Sequence, residues 1–559
     1  MFSRLLVGAI GCKIGPYMAV TTGLTLCDEV MLMVDIGADR GQAPAEADVV
    51  VIGAGHNALV CAAYLAVAGL EVAVLEAREL PGGNTVTEDL TIPGFAHDSC
   101  SSAHVLIQSN PLLRDDELGL KARYGLTYLL TDPAVVMPQP DEPAFVMPRS
   151  LDGTVDAVAD WSAHDAAELR SMMTEWSSGL STAHGRWSSA LPPVDDDATR
   201  RYQALRRRSA WDVVHERFSH PRVRDLIVWM AMATIKDPRR TGTGYLPSSL
   251  VAGRLAYGWA TPVGGSSALP NALIDCIVDH GGTVVCNASV SEIEVAGGRA
   301  VAVRTTDGHR VAARRGVVSS AHLATLASML TGLDDDGMPD LVEAQQRWRP
   351  GLSVFAVHAA LSGDLAFDGP RGPLTSAAAG LGSCSGYVRQ LDAFARGDTD
   401  ADDPWLLVVN QTAVDRSRVP ATGGATFKIL TIAPYERADG RDWKDAKQEY
   451  GEELVELVRR RCRGLEPQNI LALRVESPVD VAAHNPHNLG GSCHGGEFLA
   501  RDGSTMAGWD SYLTSVPGLY LTGATTHPGG SVSGRPGRNA ARAVLADLGM
   551  DPGAVMGAG

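Results

Sequence analysis

Residues 47–58 read ADVVVIGAGHNA. Val49-Val50-Val51-Ile52 is a β-branched run closed by Gly53, the pattern of a strand buried on both faces. Residues 57–68, NALVCAAYLAVA, are small and apolar and long enough for a buried helix, which Gly69 ends. Residues 71–76, EVAVLE, form a second buried strand. Strand, helix and strand in this order open a parallel, doubly wound α/β sheet. In the first turn Gly53 permits a tight bend and Gly55 lets backbone approach a ligand. Ala58 takes the place where a small residue lets helix and strand pack closely. His56 and Asn57 complete the turn, and the helix start beyond it offers N–H groups and a favourable dipole to an anion. Glu76 ends the next strand about 20 residues on, where a carboxylate holds ribose hydroxyls. Together these features predict a dinucleotide site.

Residues 76–85, EARELPGGNT, narrow the choice of dinucleotide. The doublet Gly82-Gly83 lets the chain pass close to a pyrophosphate and ribityl chain, which favours FAD over NAD. Ala77, Arg78, Asn84 and Thr85 join the candidate contacts. At the far end, residues 518–541 read GLYLTGATTHPGGSVSGRPGRNAA: a strand, a glycine-dense turn and a helix. Bare N–H groups at such a helix start suit the flavin's O2 and N1, where negative charge builds on reduction. The candidates here are Gly523, Ala524, Gly529, Gly530, Val532, Ser533, Gly534 and Asn539.

The remaining chain frames these segments. With 559 residues, 45% hydrophobic and 20% charged, it is globular and too long for one small core. The expected architecture is a Rossmann-like FAD-binding domain, residues 47–130, 262–330 and 500–550, interleaved with an α+β substrate domain, 131–261 and 331–499. Residues 1–46 read as an N-terminal extension: basic residues precede an apolar run, but Gly15, Pro16 and Gly23 interrupt it. Helices are expected over residues 160–208, over 213–235 with a break at Pro221, over 442–463 and over 538–548, and a strand over 283–290. A net charge of −17 argues against nucleic acid. None of the nine cysteines has Cys-x-x-Cys spacing, so neither a thioredoxin-like pair nor a zinc ribbon is expected. Reduced, mostly buried thiols suit a cytoplasmic protein.

The three motifs together resemble those of the phytoene-desaturase-like flavoproteins, nearest the branch called "pyridine nucleotide-disulfide oxidoreductase domain-containing". The likeness runs over residues 48–548 and includes the stretch 241–267, TGTGYLPSSL to AYGWATPVGGSS, and NLGGSCHGG at 488–496. It implies a two-domain amine-oxidase-like fold with FAD held non-covalently. It also implies that the backbone at Val290 meets the adenine. Two positions depart from the pattern. Asn84 stands where many relatives carry Arg, and Ala524 where many carry an acid.

The expected reaction is hydride removal from C–C or C–N of a small or medium hydrophobic metabolite, by a desaturase, dehydrogenase or oxidase. A redox-neutral isomerase and a non-catalytic flavoprotein that assists assembly remain open. The acceptor is open between oxygen and a quinone, as are a peripheral membrane contact and the oligomeric state. His527 and His494 are the candidate proton acceptors, with Asp98, beside His97, a third candidate. His484 and His487 lack a third ligand, so no metal is expected. Tyr257 and Trp259 either line the substrate cavity or pack in the core.

Overall fold

A computed structural model describes residues 43–139, 142–500, 502–506 and 508–557, all within one compact unit, Ala38–Gly559. Nearly all of the expected extension, 1–46, lies outside the described residues. β1 (Glu46–Ile52) leads through the glycine turn into α1 (His56–Val67) and then β2 (Val72–Leu75). β1 pairs in parallel with β2, Ile52 opposite Leu75. On its other side it pairs in parallel with β3 (Arg310–Ser319), Val51 opposite Val318. β4 (Leu519–Leu521) lies along β3, Val318 opposite Tyr520, and feeds α2 (Arg535–Asp547). The early and late glycine-rich segments therefore follow strands that both pair with β3 in one eight-stranded sheet.

Alternation along β1 divides its valines. Val49 and Val51 pack beneath α1, while Val50 and Ile52 join the cluster on the opposite face. Both faces are covered, so the run is apolar throughout.

A seven-stranded sheet supplies the second layer. Its order is Ile470–Glu476, Val354–Leu361, Ala425–Ile432, Leu406–Val409, Ala378–Leu381, Val135–Met137 and Phe145–Met147. Every residue of Val354–Leu361 and of Ala425–Ile432 is buried. One face of this sheet packs on helices from residues 151–257; the other packs on Trp443, Tyr450 and Leu454 of the helix Trp443–Arg459.

The structure revises three expected elements. The strand expected over 283–290 is split into Thr283–Val285 and Val290–Ala296. Asn287, at φ 56°, breaks it, and the bend hooks onto the loop after β2, Ala288 N–H donating to the Glu76 carbonyl at 2.7 Å. The break expected at Pro221 is present: Ala210–Arg217 and Pro221–Met232 are separate helices, with the proline accommodated in the first turn of the second. Residues 462–463 leave the expected helix 442–463 and pair as a strand with residues 366–367. The last helix begins at Arg535, not Arg538, with Pro536 in its first turn and Gly534 as N-cap.

Candidate active site

A cavity of about 410 Å³ is bordered by all three glycine-rich segments. From the first turn, Gly53, Gly55, His56, Asn57 and Ala58 border it. From the second segment come Glu76, Ala77, Gly82, Gly83, Asn84 and Thr85. Val290, Gly523, Ala524 and Val532 also reach it, whereas Arg78, Gly529, Gly530, Ser533, Gly534 and Asn539 do not border it. The last group shapes the walls. Arg78 Nη1 donates to the Gly83 carbonyl at 3.1 Å. The Ser533 carbonyl accepts from Asn110 Nδ2 at 2.8 Å, and Asn539 Nδ2 donates to the Ser188 carbonyl at 3.0 Å.

His56 joins the three motifs. Its Nε2 meets the Ser531 carbonyl at 3.3 Å and its Nδ1 meets Thr85 Oγ1 at 3.0 Å. A carbonyl only accepts, so Nε2 carries the proton and Nδ1 accepts from the threonine hydroxyl. Burial pulls His56 down to about 4, which keeps that tautomer neutral. Asn84 replaces a cation with a satisfied amide. Its Nδ2 donates to Asn488 Oδ1 (2.7 Å) and the Cys493 carbonyl (2.8 Å), and its Oδ1 accepts from Asn485 Nδ2 (2.8 Å).

The residues fit FAD. Gly55 is the N-cap of α1 with no side-chain cap, so the first N–H groups of the helix are left for another acceptor. A Cβ on Gly55 would meet nothing within 4 Å, which marks open space over the turn. Asn57 Oδ1 is buried without a partner. Glu76 accepts from Ala54 N–H at 2.6 Å and Arg78 N–H at 2.9 Å, which fixes its carboxylate at the cavity wall with lone pairs to spare.

Of the three proton-acceptor candidates, the structure brings His494 to the cavity. Burial, aided by the Lys236 charge, pulls it down to about 4, so the ring is neutral near pH 7. Its Nδ1 lies 3.0 Å from Cys493 Sγ. His527 is turned away: its Nε2 meets the Trp187 carbonyl at 2.6 Å, and it packs edge-on against the Trp187 ring. Asp98 does not border the cavity. It is ion-paired with Arg418 at 2.8 Å and accepts from Ser266 N–H at 2.9 Å and Thr87 Oγ1 at 2.7 Å. Burial alone would raise the Asp98 carboxyl, but Arg418 and these donors hold it below the usual range. Trp259 borders the cavity and Tyr257 does not. No group of three or more potential metal ligands exists among the described residues.

Several cavity residues escape motif reading. Lys428 is the cation in a strand that reads ATFKILTI, and that lone charge was the available signal. Its Nζ donates to the carbonyls of Asp98 (3.1 Å), Ser99 (3.1 Å) and Cys100 (2.7 Å), and burial lowers its basicity. Cys100 and Cys493, from opposite ends of the chain, lie thiol against thiol at the cavity wall. The Cys493 thiol beside it, and the Lys428 charge, hold Cys100 below the ordinary thiol range; the same contact and burial push Cys493 well above it. No local spacing announces this pair. Arg254, an isolated charge in the helix Leu246–Tyr257, also borders the cavity.

Family comparison agrees with this geometry. The chain belongs to the family of flavin-containing amine oxidoreductases, whose model matches residues 59–545. It is therefore a flavoprotein oxidoreductase, and the dinucleotide turn and Glu76 at the cavity wall fit FAD as its flavin. It is similar to a limonene dehydrogenase polypeptide of Castellaniella defragrans, one subunit of that enzyme, at 27% identity over 536 residues, covering 90% of this chain and 96% of that one. It is likewise 27% identical over 573 residues to pyridine nucleotide-disulfide oxidoreductase domain-containing protein 2 of Mus musculus, covering 91% and 95%. Among solved structures a putrescine oxidase variant superposes with a TM-score of 0.59 at 17% identity, over 90% of this chain and 99% of that one. No helix among the described residues is long and apolar enough to cross a membrane.

Proposed function

We propose that the protein is a dehydrogenase, desaturase or oxidase that removes a hydride from a C–C or C–N bond of a small or medium hydrophobic metabolite. The observation that carries this reading is one cavity bordered both by the dinucleotide motifs and by an apolar wall of Leu250, Leu407, Val409 and Leu430. In this reading residues 47–130, 262–330 and 500–550 form the FAD-binding part, and 131–261 with 331–499 the substrate part. FAD, held without a covalent bond, supplies the two-electron acceptor. The turn at Gly53–Gly55 and the start of α1 hold the pyrophosphate, Glu76 the ribose, Val290 the adenine, and the Gly523–Val532 turn the flavin end. The similarity to the limonene dehydrogenase polypeptide supports a small hydrophobic substrate and a multi-subunit assembly.

His494 is the proposed proton acceptor. Cys493, pushed up by Cys100 and burial, keeps its proton and directs it to Cys100. Its sulfur then accepts from His494 Nδ1–H, 3.0 Å away, which leaves the Nε2 lone pair free. Hydride loss from carbon leaves a cationic or acidified centre, and a neutral imidazole at the cavity wall takes the resulting proton.

The test is spectroscopic. Purified protein is expected to carry a flavin absorption band, and anaerobic addition of its substrate to bleach it. Protein that neither contains nor takes up flavin overturns the proposal. Fast reoxidation in air marks an oxidase, slow reoxidation with a fast quinone reaction a dehydrogenase. Product of unchanged mass, formed only with reduced flavin, marks an isomerase instead. Cytoplasmic location is part of the proposal, and cell fractionation tests it.

A further inference from the structure

Arg254 lies within the helix Leu246–Tyr257 and is 7% exposed. Its Nη1 donates to the Gly258 carbonyl in a hydrogen bond that is long, at 3.4 Å. Among the described residues no carboxylate pairs with it. By contrast, the buried Arg418 has Asp98 at 2.8 Å, Asp415 at 3.2 Å and the Pro262 carbonyl at 3.1 Å. The Arg254 guanidinium stacks over the Trp259 ring, 4.4 Å from its centroid, and burial with no compensating charge pulls it down to about 10. Trp259 is itself 2% exposed with its Nε1–H unpartnered, so this end of the cavity is short of acceptors. An uncompensated buried cation is costly, and an anionic ligand would offset that cost.

Apolar side chains share its helix face and its cavity. Leu250 precedes Arg254 by four residues and so shares its face of the helix, and Val105, Leu106 and Trp259 border the same cavity. We infer that Arg254 is the anchor for a substrate carboxylate, so that the substrate is an apolar body ending in one carboxylate. This rests on the proposed oxidoreductase reading and names the substrate class for it.

The charge count favours a monoanion. Lys428, the other cation at the cavity wall, already gives its three protons to the carbonyls of Asp98, Ser99 and Cys100. One guanidinium, engaged only by the long bond to the Gly258 carbonyl, matches one carboxylate, whereas a phosphate dianion would leave an unpaired charge among apolar side chains.

The probes are octanoate and octan-1-ol, titrated into the flavin-containing protein and followed by the shift of the flavin absorption band and by calorimetry. Octanoate is expected to bind wild-type protein at least about tenfold more tightly than octan-1-ol, although the alcohol is the easier molecule to desolvate. Arg254→Gln is expected to lose that preference while retaining its FAD, and Arg254→Lys to recover part of it. Octan-1-ol binding as tightly as octanoate overturns the inference, and so does an Arg254→Gln protein that keeps octanoate affinity or loses FAD instead. If Arg254→Gln fails to fold, the comparison of the two ligands on wild-type protein decides. Flavin-loaded protein without carboxylate preference defeats the anchor alone, whereas protein that never takes up flavin defeats the underlying reading.

Discussion

Two glycines separate folding from binding at the scale of single residues. Gly53 sits at φ 86°, and a Cβ there would stand 2.4 Å from Ser320 Oγ. Gly53→Ala is expected to cost about 1–3 kcal/mol of stability, read by chemical denaturation. Gly55 has an ordinary φ of −62° and open space around it. Gly55→Val is expected to leave stability within about 1 kcal/mol of wild type and to empty the protein of flavin, because the new side chain occupies the space over the turn. If Gly55→Val retains its flavin, the cavity has been assigned to the wrong ligand. His494 makes a second residue-scale prediction. Held at about 4, it stays neutral from pH 8 to pH 5, so turnover is expected to be flat there and to fall as pH drops towards 4. His494→Gln is expected to lower kcat by about 100-fold and to abolish that acid limb. A wild-type limb centred near 6.5 instead would assign the base to an exposed histidine.

Helix packing holds the two chain ends in register at the scale of elements. Gly537 in α2 lies against α1: a Cβ on it would stand 2.2 Å from the Asn57 carbonyl oxygen and 2.8 Å from Val60 Cβ. Arg538 follows, donating to Glu117 at 2.6 and 2.8 Å, and Tyr64 of α1 donates to the same carboxylate. Gly537→Leu pushes the two helices apart, and each carries one of the separated FAD motifs at its start. The variant is expected to lose flavin affinity together with a few kcal/mol of stability, read by flavin content and a denaturation curve. Arg538→Lys, which keeps the charge but not the fork to Glu117, should show a milder form of the same coupled loss. Flavin affinity unchanged in Gly537→Leu would mean that the motifs are aligned by the sheet alone.

For the whole molecule, the number of histidines buried neutral governs acid behaviour. His97, His104 and His322 are 3%, 0% and 3% exposed, and burial pulls them to about 3, 3 and 2. In an unfolded chain a histidine titrates near 6.5. Below that pH the unfolded state takes up protons that the folded state does not. Each such histidine therefore removes about 1.4 kcal/mol of stability per pH unit, down to its folded value. Stability is full above about pH 6.5 and is expected to decline steadily from there towards pH 4; a urea midpoint unchanged between pH 7 and pH 5 would contradict the burial of these rings. The same burial separates what could be read locally from what could not. The strand of Val49–Ile52, the turn at Gly53 and Gly55, the helix after it and the strand just before Glu76 were determined by sequence alone, because period, β-branching and glycine act over a few neighbouring residues. The glycine-rich turn before α2 was legible for the same reason. The neutral state of His494, the commitment of Asp98 to Arg418 and of Lys428 to three carbonyls, the meeting of Cys100 with Cys493 and the isolation of Arg254 were decided only by tertiary structure. Each is a contact, or the want of one, between segments far apart in the chain, and its energy is set by burial and charge in three dimensions, which no local pattern of residues encodes.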